Sequence, residues 1–134
     1  MTSPEEYLLE RINQERALRG KKPLSPDRNL TNLALQKSMD MLKNNYFSHF
    51  SPTYGKTSDM LRKNKVQYSL AGENLAKAMS ISSAFNLFMK SPVHRANILL
   101  SNYDSVGIGI VPQKSGSGVI VTIIFTSPKV PLRQ

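Results

Sequence analysis

One stretch near the C-terminal end, SVGIGIVPQKSGSGVIVTIIFT (residues 105–126), decides which fold class the sequence predicts. Its last part, residues 118–126, is apolar on both faces of an extended chain. That pattern is typical of a strand covered by other layers on both sides. The polar segment before it, residues 112–118, contains two glycines and predicts the loop of a hairpin. The stretch therefore predicts two antiparallel strands inside a layered structure.

The first strand of this hairpin has one nearly bare face. Along it, Val106, Ile108 and Ile110 alternate with Gly107 and Gly109. Because glycine lacks a side chain, we expect a helix or another backbone to approach that face closely.

Helices are predicted ahead of the hairpin by serine–proline pairs. Serine suits the N-cap of a helix, and proline suits its first turn. We expect the first helix to stop at Gly20 and the second to end at Asn44, because glycine and asparagine tolerate the left-handed backbone at helix ends. The pair at residues 91–92 would place His94 in the first turn of a further short helix. The three predicted starts are Ser3-Pro4, Ser25-Pro26 and Ser91-Pro92.

Helices first and strands last indicate an α+β fold, with the two-sided strand placed between helical layers. The chain has 134 residues and no linker-like segment, so a single domain over residues 1–134 is expected. The segment AGEN (71–74) interrupts the helices, and its glycine indicates a tight turn that presents Glu73.

Charge is the strongest feature of the composition. The chain carries 18 Lys and Arg against 9 Asp and Glu, a net charge of +9, and residues 46–134 hold +7 of it. Such a surface attracts acidic glycan, nucleic acid or anionic lipid, although a solvated basic face gives the same composition. The run LRKNK (61–65) could contact phosphates. Because no aromatic platform accompanies that run, nucleic acid is disfavoured as a partner.

Some chemistries and locations are excluded or constrained. The chain has no cysteine, so it forms no disulfide and offers no thiolate nucleophile or ligand. No run of about 18 apolar residues predicts a transmembrane segment. The N-terminal MTSPEEYLLE is acidic and lacks the apolar core of a secretory signal. We therefore expect either a cytosolic protein or one whose targeting segment lies outside this sequence.

Two histidines and one carboxylate are the candidate functional residues. The chain has only His49 and His94, and after the first predicted helix its single glutamate is Glu73. Two imidazoles and a carboxylate form a common metal set that leaves positions open to water. Each also has a plainer interpretation, since a histidine can be a hydrogen-bonded packing residue and Glu73 could pair with Arg95. The residues alone leave both interpretations open.

Five motifs follow one another along the chain: LLERINQERALRGKKPL (8–24), YFSHFSP (46–52), AGENLA (71–76), SPVHRANIL (91–99) and VGIGI (106–110). In their order and spacing they resemble the CAP superfamily of cysteine-rich secretory, antigen 5 and pathogenesis-related proteins. The likeness covers about residues 4–127 and is greatest to the short, cysteine-free bacterial branch, also described as SCP-like.

The resemblance implies a single-domain α-β-α sandwich with a central cleft lined by two histidines and one or two glutamates. His49 and His94 match the two family histidines, and Glu73 matches the glutamate of the G-E-N motif. Ser91 stands where the family's second glutamate is expected. The implied metal ligands are His49 and His94 for Zn²⁺ or another divalent cation, with Glu73 acting directly or through water.

The missing second glutamate favours a protein with no enzymatic activity. The resemblance then implies an extracellular or bacterial surface module, a lipoprotein among the forms expected, that binds a host or cell-envelope ligand such as a lipid, sterol or acidic glycan. Two alternatives remain. One is a metal-dependent peptidase or esterase using the same cleft, and the other is a basic adhesin for acidic glycan, nucleic acid or anionic lipid.

Overall fold

The computed structural model describes residues 2–130. Over this range helices and strands intermix along the chain. The helices are α1 (Pro4–Leu18), α2 (Arg28–Asn44), α3 (Thr57–Lys63), α4 (Ile81–Lys90) and α5 (Pro92–Leu99). The strands are β1 (Ser25–Pro26), β2 (Ala71–Ala78), β3 (Ser105–Pro112) and β4 (Val119–Thr126).

The strands form one sheet in the order β1-β3-β4-β2. The predicted hairpin is confirmed, since β3 and β4 pair antiparallel along their whole length. Strand β2 pairs antiparallel with the other side of β4, and the two-residue β1 pairs parallel with β3. Strand β4 is therefore internal, and β2 forms one edge of the sheet.

Helices cover both faces of the sheet, so the predicted α-β-α sandwich is confirmed. On one face, Val121, Ile123 and Phe125 of β4 pack with residues of α1, α4 and α5. On the other face, Ile124 packs against α2 and α3, and Ile120 packs against Met41 of α2. These five apolar side chains of β4 are at most 3% exposed, which is why the strand is apolar at successive positions.

The glycine face of β3 lies against α2, as the sequence predicts. A Cβ built at Gly107 would lie 2.1 Å from the carbonyl carbon of Leu30, and one at Gly109 would lie 2.3 Å from the backbone nitrogen of Leu35. Only glycine allows helix and strand to approach so closely.

The helix starts are partly as predicted. Ser3 and Glu6 form a capping box at the start of α1, and Gly20 follows the helix with a φ of 69°. The prediction that Ser25 caps the second helix is wrong. The Ser25 amide instead donates to Asp104 in a strand pairing, and the Asp27 carboxylate caps α2 by accepting from the Leu30 amide at 2.9 Å.

The prediction of a turn at AGEN is also wrong, because residues 71–78 form β2. Gly72 is needed there for space and not for bending. A Cβ at this position would lie 2.6 Å from the Tyr103 hydroxyl and 3.0 Å from the Asn97 side-chain oxygen. In the described part of the chain, no helix combines the length and apolar character that crossing a bilayer requires.

Candidate functional site

Glu73 and His49 form the centre of the candidate site. Glu73 lies on the edge strand β2, and His49 lies in the loop between α2 and α3. Nδ1 of His49 is 2.8 Å from Oε1 of Glu73. The carboxylate is 4% exposed, whereas the imidazole is 62% exposed. A buried carboxylate that accepts from Nδ1–H fixes the ring and leaves Nε2 as the atom with a free lone pair.

His94 lies in the first turn of α5, where the sequence places it. Its half-buried ring is tilted against Phe88, with ring centroids 5.6 Å apart. Burial lowers the pKa of His94 below its ordinary value, and the nearby charge of His49 lowers it further. The two histidines, 45 positions apart in the chain, are thus within electrostatic reach of each other.

Strand β2 organises both sides of this site. Successive strand residues point to opposite faces, so Glu73 points toward the loop that carries His49 and Asn74 points toward α5. The fully buried Asn74 donates through Nδ2 to the His94 carbonyl at 3.0 Å. Asn97 in turn donates to Oδ1 of Asn74 at 2.9 Å. One edge strand therefore fixes the loop of the first histidine and the helix of the second.

A buried carboxylate anchors the loop that carries His49. Asp40 of α2 accepts hydrogen bonds from Ser51 Oγ at 2.6 Å, Thr53 Oγ1 at 2.7 Å, Asn44 Nδ2 at 2.6 Å and the Tyr46 hydroxyl. Burial alone would raise the pKa of Asp40, but these donors outweigh it and the pKa is lowered. Burial, followed by the hydrogen bond to Asp40, raises the pKa of Tyr46.

Lys37 holds the same loop by its main chain. The side chain is almost completely buried, and its Nζ donates to the His49 carbonyl at 2.8 Å. The ammonium also lies 5.4 Å from the centre of the Tyr46 ring, within the range of a cation–π contact. Burial lowers the pKa of Lys37, and the negative charges of Glu73 and Asp40 partly oppose this.

Ser91, at the position of the missing glutamate, follows α4 and precedes α5. Its hydroxyl makes no capping hydrogen bond, so the expectation that this side chain caps α5 is wrong. The main chain of Ser91 makes the first hydrogen bond of α5 instead, because its carbonyl accepts from the Arg95 amide at 2.8 Å. Among residues 2–130, no three His, Cys, Asp or Glu side chains converge as a ready-made metal cage.

The sequence interpretation missed the residues that support the site, namely Lys37, Asp40, Asn74 and Asn97. For two of them a signal existed. Lys37 and Asp40 occur at helical spacing from Leu33 and Met41, which places them on the buried face of α2. A charged residue on such a face usually has a partner inside the protein.

The family follows from comparison with known proteins. A family model described as the cysteine-rich secretory protein family, CAP, matches residues 9–125. The chain belongs to the CAP family. Its CAP-domain relatives include bacterial proteins, and the structural relatives carry the same fold.

Among individual relatives, the uncharacterized protein YkwD of Bacillus subtilis (strain 168) is 42% identical over 114 residues, which cover 84% of this chain. The crystal structure of an extracellular Bacillus anthracis (strain Ames) protein containing an SCP domain is 30% identical, with a TM-score of 0.84 over 92% of this chain. An outer surface protein of Borrelia burgdorferi shares the fold at 20% identity, with a TM-score of 0.84 over 94% of this chain and 93% of its own. The chain spans only 44% of the B. subtilis protein and 40% of the B. anthracis chain.

Proposed function

We propose that this CAP domain is a non-enzymatic ligand-binding module whose cleft holds a divalent cation through His49 and His94. The observation that carries the proposal is the 2.8 Å contact between His49 Nδ1 and the buried Glu73 carboxylate. A carboxylate behind an imidazole is the usual support of a metal-binding histidine. It orients the ring and raises the basicity of the opposite nitrogen.

The donor set fits a weakly held ion. His49 offers Nε2, and the lowered pKa of His94 keeps that second imidazole neutral, as a ligand must be, at ordinary pH. Because the Glu73 carboxylate is hydrogen-bonded to Nδ1 of His49, it supports that ring and is not counted among the ligands. Two protein ligands would remain, and water would complete the coordination shell of the ion. A bound Zn²⁺ or similar ion supplies a Lewis acid that can hold an oxygen of a ligand. Glu73 as a direct ligand stays a prediction.

The absence of a second carboxylate favours binding over catalysis. In metal-dependent hydrolysis a carboxylate or histidine takes the proton of the attacking water. Here Glu73 is engaged by His49, and Ser91 stands where a second glutamate would be needed. A peptidase or esterase function remains the alternative that the experiment below distinguishes.

We propose that the module acts outside the cell. The B. anthracis relative that supports this is described as extracellular. The ligand classes consistent with an extracellular location are lipids, sterols, glycans and host proteins.

Isothermal titration with Zn²⁺ tests the metal site. We expect micromolar-class binding at about pH 7.5 that weakens strongly at about pH 5.5, because protonated imidazoles cannot coordinate a metal. His49→Ala and His94→Ala should each abolish it. Because the chain has no third histidine, zinc binding that remained in the double variant His49→Ala/His94→Ala would have to come from a different site.

The outcomes separate the alternatives. Zinc binding that is unchanged in His94→Ala would contradict the site. Zinc-dependent cleavage of a peptide or ester that disappears in Glu73→Gln would contradict the non-enzymatic assignment and establish the hydrolase. Binding without turnover, lost in both histidine variants, is the result that the proposal expects.

A further inference from the structure

A pocket at the C-terminal end of α3 is lined by none of His49, Glu73 and His94. Its volume is about 480 Å³. Val66 is its one apolar side chain, and the segment after β4 contributes Lys129. Its polar side chains are Ser58, Arg62, Lys65, Gln67, Tyr68 and Lys129.

Every polar side chain of this pocket can donate a hydrogen bond, and no carboxylate lines it. Arg62 is paired with Asp59 at 3.0 Å and keeps further donors free. Within residues 2–130, Lys65 and Lys129 take part in no ion pair. A concave site with three cations and no carboxylate is complementary to an anion with several acceptor oxygens, such as a sulfate or phosphate ester.

The backbone at Lys65 gives a second, independent observation. The Val66 amide donates to the Leu61 carbonyl and the Lys65 amide to the Arg62 carbonyl, which is the hydrogen-bond pattern of a Schellman motif. The residue in the left-handed position of that motif is usually glycine. Here it is Lys65, with a φ of 58°. Glycine would form this turn at a lower energetic cost than lysine. The presence of lysine therefore suggests that its side chain has a role of its own, beyond forming the turn.

Tyr68 supplies a fixed aromatic surface. Its ring and Val66 pack against the core cluster that contains Leu61 and Ile124, so the ring is ordered before any ligand binds. A sugar ring can lie against such an aromatic face while its ester group meets the cations.

We propose that this pocket, defined by Arg62, Lys65, Tyr68 and Lys129, binds the sulfate- or phosphate-bearing sugars of an acidic polysaccharide. The site is separate from the histidine cleft and does not depend on the proposed metal. It gives the basic surface of the chain a specific binding position. A single aromatic residue does not provide the successive stacking positions of a single-strand nucleic-acid site. A concave pocket lined by donors also suits a discrete group better than a flat bilayer.

The test compares Lys65→Gly with Lys63→Ala. Both substitutions remove one positive charge from neighbouring exposed positions, but only Lys65 lines the pocket. Binding to dextran sulfate and to dextran phosphate would be measured by calorimetry at one fixed salt concentration, with neutral dextran as the uncharged reference. We expect Lys65→Gly to weaken binding about tenfold, the loss of roughly one charge-assisted hydrogen bond, and Lys63→Ala to change it less than about twofold. Tyr68→Leu should also weaken binding to dextran sulfate and dextran phosphate.

Stability distinguishes a binding role from a structural one. Because glycine is favoured at the left-handed position, Lys65→Gly should unfold at the same urea concentration as the parent or at a higher one. A loss of stability in Lys65→Gly, or equal losses of binding in Lys63→Ala and Lys65→Gly, would overturn the proposal. Tighter binding to oligothymidylate, or to vesicles of phosphatidylglycerol and phosphatidylcholine, than to dextran sulfate and dextran phosphate would also overturn it.

Discussion

Gly107 of β3 and Leu30 of α2 are in direct backbone contact, so that a methyl group at position 107 would lie 2.1 Å from the Leu30 carbonyl carbon. Gly109 meets the backbone of Ala34 and Leu35 in the same way, one turn further along α2. A backbone cannot rotate aside as a side chain can. These two glycines therefore set the distance between the helix and the sheet.

Gly107→Ala is expected to destabilise the protein strongly. The helix must shift away from the sheet to admit the methyl group, so we expect the free energy of unfolding to fall by about 3 kcal/mol or more. Urea denaturation measures this change. Ile108→Val, on the opposite face of the same strand, should cost only about 1 kcal/mol. Similar small losses in both variants would show that α2 moves freely relative to β3.

The main architecture could be predicted because single residues determine it locally. Gly107 and Gly109 mark a close approach, the apolar run of β4 marks burial on both faces, and Ser3 marks a helix start. Each of these signals is contained within a few neighbouring positions. The structure agrees with all three.

Other features could not be predicted because distant residues decide them. Ser25 looks like a helix cap, but its amide is taken by Asp104, nearly 80 positions away. Gly72 resembles a turn residue in the sequence, but glycine is required there because the Tyr103 hydroxyl leaves no room for a side chain. In the site, a local motif identifies Glu73, whereas its pairing with His49 depends on how α2 and β2 pack together.

Glu73→Gln tests the support of His49. The amide cannot accept from Nδ1–H as strongly as the carboxylate, so the ring should lose its fixed orientation. We expect zinc affinity to fall about 10- to 100-fold, as is usual for the carboxylate behind a metal-binding histidine. Isothermal titration calorimetry measures this change in zinc affinity. Glu15→Gln removes the same charge from an exposed ion pair with Arg19 and should leave the affinity unchanged. Equal affinity in Glu73→Gln and the parent would contradict the supporting role.

Asp40→Asn tests the anchor of the loop that carries His49. The pKa of Asp40 is lowered in the folded state, so its ionised form stabilises the fold at any pH above the ordinary carboxyl value of about 3.9. That contribution is lost as the pH falls through the lowered value. We expect Asp40→Asn to cost about 2 kcal/mol near neutral pH and progressively less in acid.

Urea denaturation of Asp40→Asn and the parent between neutral and acid pH measures the effect. Asp27→Asn is a useful comparison, because Asp27 caps α2 through one amide and does not hold the loop. A difference between Asp40→Asn and the parent that stays constant down to the most acidic point would show that the charge of Asp40 contributes nothing.

Lys37→Met separates the stability of the fold from the order of the site. Methionine can fill the space of the buried lysine stem, and burial already disfavours the charge, so we expect stability to change by less than about 1 kcal/mol. The His49 carbonyl, however, loses its donor from α2. The amides of residues 47–50 should therefore exchange hydrogen faster, and zinc affinity should fall several-fold. Lys43→Met, at an exposed position of the same helix, should change neither property. If Lys37→Met unfolds the whole protein instead, Lys37 belongs to the core and has no separate role in positioning His49.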